Sequence, residues 1–119
     1  LEQTYGTFKF KSKNTFDNSL KYQAMANDEV DCVPAYTTDA QLSSDEFVLL
    51  DDDKHFWPPY NIIPVVRQEL IDAHPDVAEI INKISAAIDT ETMTKLNAQV
   101  DIDKEEYEDV AADFYATLK

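Results

Sequence analysis

Tyr36 closes a short apolar run and is followed at once by Thr37, Thr38 and Asp39. Further along, Phe56 and Trp57 precede two prolines, Pro58 and Pro59, and Tyr60 follows them. Two prolines fix two backbone angles and remove two donors, so residues 54–60 read as a rigid, exposed aromatic loop. Rings at a strand end and in a stiff loop, beside polar neighbours, are placed as binding-site rings are. The ligand chemistry that needs them is specific. A quaternary ammonium has no N–H to donate and is held by π faces and carboxylates, each good ring contributing roughly 0.5–2 kcal/mol. On residue types alone, ordinary packing of large apolar rings is the first reading of the same residues.

Other chemistries find less support. No Ser-His-Asp spacing and no nucleophile elbow stands out. His55 and His74 are the only histidines, and neither has a second histidine at metal-ligand spacing. Asp51, Asp52 and Asp53 are consecutive, whereas a calcium loop alternates its ligands around a central glycine. Gly6 is the only glycine, which leaves no phosphate-cradling loop. No cofactor, metal site or catalytic set is expected, and the chain reads as a non-enzyme. Cys32 is the single cysteine, so it has no internal disulfide partner. Its place in an apolar run predicts a buried, inert thiol.

The charge balance excludes partners. With 24 acidic and 10 basic side chains the formal net charge is -14. Phosphate backbones repel such a surface, so no nucleic-acid partner is expected, and anionic membrane surfaces are disfavoured too. The field attracts cations over long range, although solubility alone accounts for many acidic surfaces. At 119 residues and 44% apolar composition the chain has room for one modest packed domain or a piece of a larger one. No apolar run is long enough to span a bilayer.

The elements that must position the rings follow from periodicity. Residues 7–11 alternate apolar with polar and read as a short strand. Asp17 is a plausible N-cap for a helix that ends near Asn27. Residues 30–36, 47–50 and 62–66 are apolar runs that predict strands, with Pro34 awkward in the first. His74-Pro75 starts a helix with the stripe Val77, Ile80, Ile81, Ile84 and Ile88. Thr90 or Asp89 caps the next, with Met93, Leu96 and Val100. Asp103 with Glu106 suggests a capping box for the last, with Tyr107, Val110, Ala111, Phe114 and Leu118. The order of strands, aromatic loop and helices predicts an α/β fold.

Three stretches carry a resemblance. They are Asp31-Cys32-Val33-Pro34-Ala35-Tyr36-Thr37-Thr38-Asp39, Asp52-Asp53-Lys54-His55-Phe56-Trp57-Pro58-Pro59-Tyr60-Asn61 and Pro64-Val65-Val66-Arg67. Together they resemble the C-terminal half of osmoprotectant receptors, the choline, carnitine and glycine-betaine binding proteins of ABC importers. That family shows an Ala-Tyr-Ser-Thr-Asp-Gly-like turn, then an Asp-Asp-Lys with two aromatics and Pro-Pro-Tyr, then a Pro-Val-Val-Arg-like strand. Met93, Leu96-Asn97, Val100-Asp101 and Val110-Ala111 also fit. Two residues depart from the pattern. Ala40 stands for the usual glycine, and Pro34 for a strand former.

The resemblance implies part of a type II periplasmic-binding-protein fold, with two lobes closing on a ligand. Residues 1–50 would be the remainder of the second lobe. Residues 51–119 would be the crossover and the C-terminal part of the first lobe. The remaining segments would lie in a longer protein. Tyr36 and Tyr60 match cage tyrosines, Thr37 and Thr38 would support the rim, and Phe16 would line the same cleft. The implied partners are a quaternary-ammonium ligand and an ABC transporter permease. The implied location is extracytoplasmic and membrane-associated, either lipid-anchored or fused to the permease. The contrasting expectation is an acidic protein-interaction domain with no small-molecule site.

Overall fold

The computed structural model describes residues 1–6 and 9–119. Thr7 and Phe8, half of the first expected strand, lie outside the described residues. The chain divides into two compact units, one of Leu1–Tyr36 with Val48–Pro59, the other of Thr37–Phe47 with Tyr60–Lys119.

The first unit opens with α1 (Glu2–Tyr5), a single turn ended by Gly6 at φ 96°. That backbone angle is one a side chain rarely adopts, which accounts for the only glycine. A 3-10 turn (Asn18–Leu20) leads into α2 (Lys21–Ala26). Asp17 stands at the head of that turn, as its sequence position suggested. It acts through its backbone carbonyl, which accepts from the Leu20 N–H at 2.9 Å, and makes no side-chain cap. The end of α2 near Asn27 is also as expected. Asp28 takes φ 58° there. Its N–H bonds to the Met25 carbonyl and that of Glu29 to the Ala24 carbonyl. This is the paired Schellman closure, with aspartate at the left-handed position that glycine usually fills. Lys21, Tyr22 and Ala24 are the buried residues of α2.

The second unit is built on four helices, α3 (Gln68–Ala73), α4 (Asp76–Ala86), α5 (Thr90–Asp101) and α6 (Tyr107–Ala116). α3 stops at His74 because the following Pro75 disfavours helical backbone at the residue before it. Pro75 then heads α4. α5 is capped by Asp89, whose carboxylate accepts from the Thr92 N–H at 2.8 Å. α5 packs against α6 and against a 3-10 turn at Ala40–Ser43, and α3 packs against α4. Ala40, only 1% exposed, and Thr94 and Val110 are the buried side chains of this unit. Ile80 and Ile88 of the expected α4 stripe are exposed, as are Tyr107 and Ala111 on α6.

The α/β assignment is not confirmed, because no strand forms among the described residues, and three expectations need correction: the strands, the buried Cys32 and the capping box. Residues 30–36, 47–50 and 62–66 carry no regular structure. A strand is stabilised by a ladder partner that satisfies its backbone groups, and among the described residues no chain segment pairs with these runs. Ile62, Ile63 and Val65 are accordingly exposed, Val65 by 89%. Cys32, in the same kind of segment, is exposed and not buried. The Asp103–Glu106 capping box does not form: Lys104 turns the chain at φ 63°, and Glu106 heads α6 with no side-chain cap. Ala40, which departs from the family's glycine, takes an ordinary backbone angle. It sits inside the 3-10 turn and not among the residues with positive φ, so its backbone does not need glycine's freedom.

Candidate functional site

The aromatic loop of the first unit is tied together by one carboxylate. Asp52 Oδ1 accepts from the Phe56 N–H at 3.0 Å and Oδ2 from the Trp57 N–H at 2.8 Å. Its own carbonyl accepts from the His55 N–H at 3.0 Å, with His55 at φ 51°. Aspartate followed by a tight turn can satisfy several N–H groups at once, which is why Asp52 precedes the rings. Tyr5 completes the knot. Its hydroxyl donates to Asp52 and accepts from the Lys54 N–H at 3.0 Å. The Lys54 ammonium donates to the Thr4 carbonyl at 3.1 Å and lies 5.1 Å from the Tyr5 ring centroid.

These bonds set the local protonation. The Tyr5 hydroxyl, with the two N–H groups, holds the Asp52 carboxyl below its ordinary value. Partial burial, then the bond to Asp52, pushes the Tyr5 hydroxyl up. The loop presents Phe56 and Trp57 as an edge-to-face pair with centroids 4.8 Å apart and planes at 84°. Trp57 is exposed and Phe56 half-buried.

The threonine turn is positioned by α5 in the second unit. The single proton of the Thr94 hydroxyl is shared between the Thr90 carbonyl at 2.8 Å and the Thr37 carbonyl at 3.2 Å. Asn97 Nδ2 donates to the Thr38 carbonyl at 2.8 Å. Thr37 is exposed and Thr38 half-buried. Both are therefore gripped by the backbone, which fixes the chain just after Tyr36.

Tyr36 belongs to the first unit and is 58% exposed. The Lys21 ammonium lies 5.5 Å from its ring centroid and 5.1 Å from that of Tyr22. Tyr60 belongs to the second unit and is 88% exposed. Phe16 is half-buried. Thr37 and Thr38 are thus held together with α5, and Tyr36 with Lys21 and Tyr22. Sequence reasoning missed the parts played by Tyr5, Lys21, Tyr22 and Thr94. Only Asn97 carried a signal, as part of the family-like Leu96-Asn97 pair. Among the described residues no group of histidine, cysteine or acidic side chains could hold a metal ion.

Comparisons with known proteins give the family to which the chain belongs. The model for the substrate-binding domain of ABC-type glycine betaine transport systems matches residues 1–117, and the chain belongs to this family. It is 38% identical over 115 residues to a glycine-betaine-binding protein of Pseudomonas aeruginosa, covering 96% of this chain and 37% of that one. It is 35% identical over 111 residues to an ergothioneine transport permease/ergothioneine binding protein of Helicobacter pylori, covering 93% and 20%. It is 35% identical over 105 residues to a carnitine transport binding protein of Listeria monocytogenes, covering 88% and 34%. The chain thus spans between a fifth and two fifths of the length of these relatives.

Proposed function

We propose that this chain is part of a receptor that captures quaternary-ammonium osmoprotectants such as glycine betaine, carnitine or choline for an ABC importer, without catalysing a reaction. The observation that carries this reading is the family match across residues 1–117. Ligand chemistry supports it. Glycine betaine, carnitine and ergothioneine, for which relatives are named, each carry a trimethylammonium group. Tyr36 and Tyr60 keep open ring faces of the kind such a group needs. Thr37 and Thr38 hold the rim beside Tyr36, and Phe16 lines the same cleft.

In the whole protein, residues 1–50 complete the second of two lobes, and residues 51–119 cross back and close the first. Closure around the ligand excludes water and strengthens the cation–π contacts. The permease then recognises the closed receptor. The receptor works outside the cytoplasm, anchored by lipid or fused to its permease. No helix among the described residues is long and apolar enough to cross a membrane.

Calorimetric titration of the full-length protein with glycine betaine, carnitine and choline tests the reading. Saturable binding of at least one is expected. No heat with any of them, from folded protein, would favour an acidic interaction domain with no small-molecule site.

A further inference from the structure

Lys21 stands out from the other lysines in the chain. A lysine normally lays its stem on apolar surface and keeps its ammonium in water. Lys21 is only 6% exposed. Its ammonium lies 5.1 Å from the centroid of Tyr22 and 5.5 Å from that of Tyr36. Both distances fall inside the range over which a ring face attracts a cation. The ring that the functional reading assigns to an external cation therefore already carries an internal one.

Two cations close to one ring repel, and the repulsion grows as water is excluded. An external trimethylammonium group on the open face of Tyr36 meets this repulsion unless the Lys21 head moves aside. The flexible four-carbon stem allows that movement. The consequence differs between ligands. A ligand that is only a cation brings no new partner for the displaced ammonium. A zwitterion brings a carboxylate a few bonds from its ammonium, and the displaced Lys21 head can pair with it.

We propose that Lys21 is a specificity-determining residue, an internal cation on Tyr36 that disfavours simple quaternary cations and favours zwitterionic betaines. This rests on Tyr36 being a ligand-facing ring. Lysine supplies both effects by one means, since the charge that opposes a bare cation is the charge that receives a carboxylate.

The test uses full-length protein, with tetramethylammonium and glycine betaine as probes and calorimetry as the readout. Lys21→Met keeps an unbranched side chain one atom shorter and removes the charge. Lys21→Gln also removes the charge and keeps a polar tip, should the methionine variant fold poorly. Melting curves confirm that the proteins compared are folded. The ratio of the two dissociation constants is expected to shift toward tetramethylammonium by roughly 2- to 30-fold, the span of one cation–π contact. An unchanged ratio in a folded variant overturns the proposal, as does a shift toward glycine betaine. Tyr36→Ala separates this from the underlying reading. If Tyr36→Ala weakens both probes while the lysine variants leave the ratio alone, the role of Lys21 fails and the cage stands. If Tyr36→Ala leaves both affinities unchanged, or if the folded protein binds neither these probes nor carnitine nor choline, the cage itself fails and the role of Lys21 with it.

Discussion

The Tyr5 hydroxyl donates a hydrogen bond to the Asp52 carboxylate across 47 positions of sequence. Asp52 is at the same time the acceptor for the Phe56 and Trp57 N–H groups. One phenol thus holds the carboxylate that holds the aromatic loop. Tyr5→Phe keeps the ring and removes both the donor to Asp52 and the acceptor for Lys54. The amides of Phe56 and Trp57 should then exchange hydrogen faster than in the parent protein, with helices α4 to α6 unaffected. Equal protection of those amides in Tyr5→Phe would mean that Asp52 orders the loop unaided.

The loop should also respond to acid. Asp52 in the folded chain is held below the ordinary aspartate value, first by Tyr5 and then by the N–H groups of Trp57 and Phe56. A depressed carboxyl contributes stability that is fully present above its unfolded value and is lost as pH falls through the folded one. The loop should therefore be intact at neutral pH and loosen as acid takes the pH below the ordinary aspartate range. Trp57 is the only tryptophan, so its fluorescence reports this directly. Asp52→Asn should remove most of that transition. The Asp89 cap, depressed by the Thr92 N–H, contributes in the same pH range, and circular dichroism of the helices reports it separately.

Thr94 and Asn97 should matter for binding although neither is an aromatic residue. Thr94→Val is close in shape but leaves the Thr37 carbonyl without its α5 donor. Loss of one such bond costs about 1 kcal/mol. The melting temperature should fall modestly, and affinity for a quaternary amine should fall as the turn beside Tyr36 loosens. A Thr94→Val, Asn97→Ala double variant that melts lower but binds as the parent does would separate the turn from the site.

Tyr36→Ala and Tyr60→Ala should each weaken binding by about 2- to 30-fold in full-length protein, the range expected of one ring face. Phenylalanine at either place should be milder. If the rings only pack, alanine lowers the melting temperature and leaves the affinity of the folded fraction unchanged. Affinity and melting temperature measured on the same samples distinguish these outcomes.

Asp28→Gly should stabilise the first unit. Asp28 occupies the left-handed position that closes α2. Glycine enters that region without a Cβ clash, a gain of about 0.5 kcal/mol after its own entropy cost. Thermal melting measures it, and a lower melting temperature would show that the Asp28 side chain contributes more than its backbone strain costs.

Local chemistry made several features legible in the sequence. The end of α2 near Asn27, the start of α4 around His74-Pro75 and the Asp89 cap of α5 all depend on backbone groups within a few residues of the signal. The family was legible for another reason. Its motifs combine prolines, aspartates and tyrosines in an order that helix or strand propensity alone does not require. The expected strands failed because an apolar run becomes a strand only beside a partner, and periodicity says nothing about who the partner is. Residues 62–66 show this, apolar by type and largely exposed in place.

The sequence by itself determined which rings, prolines and aspartates are available and the family to which they belong. Only the tertiary structure decided what holds them. It brought Tyr5 to Asp52, Thr94 to the Thr37 carbonyl, Asn97 to the Thr38 carbonyl and the Lys21 ammonium to the face of Tyr36. The first three contacts join residues 47, 57 and 59 positions apart. Contacts of that span depend on how the chain closes its loops, and no local pattern of residue types encodes that closure.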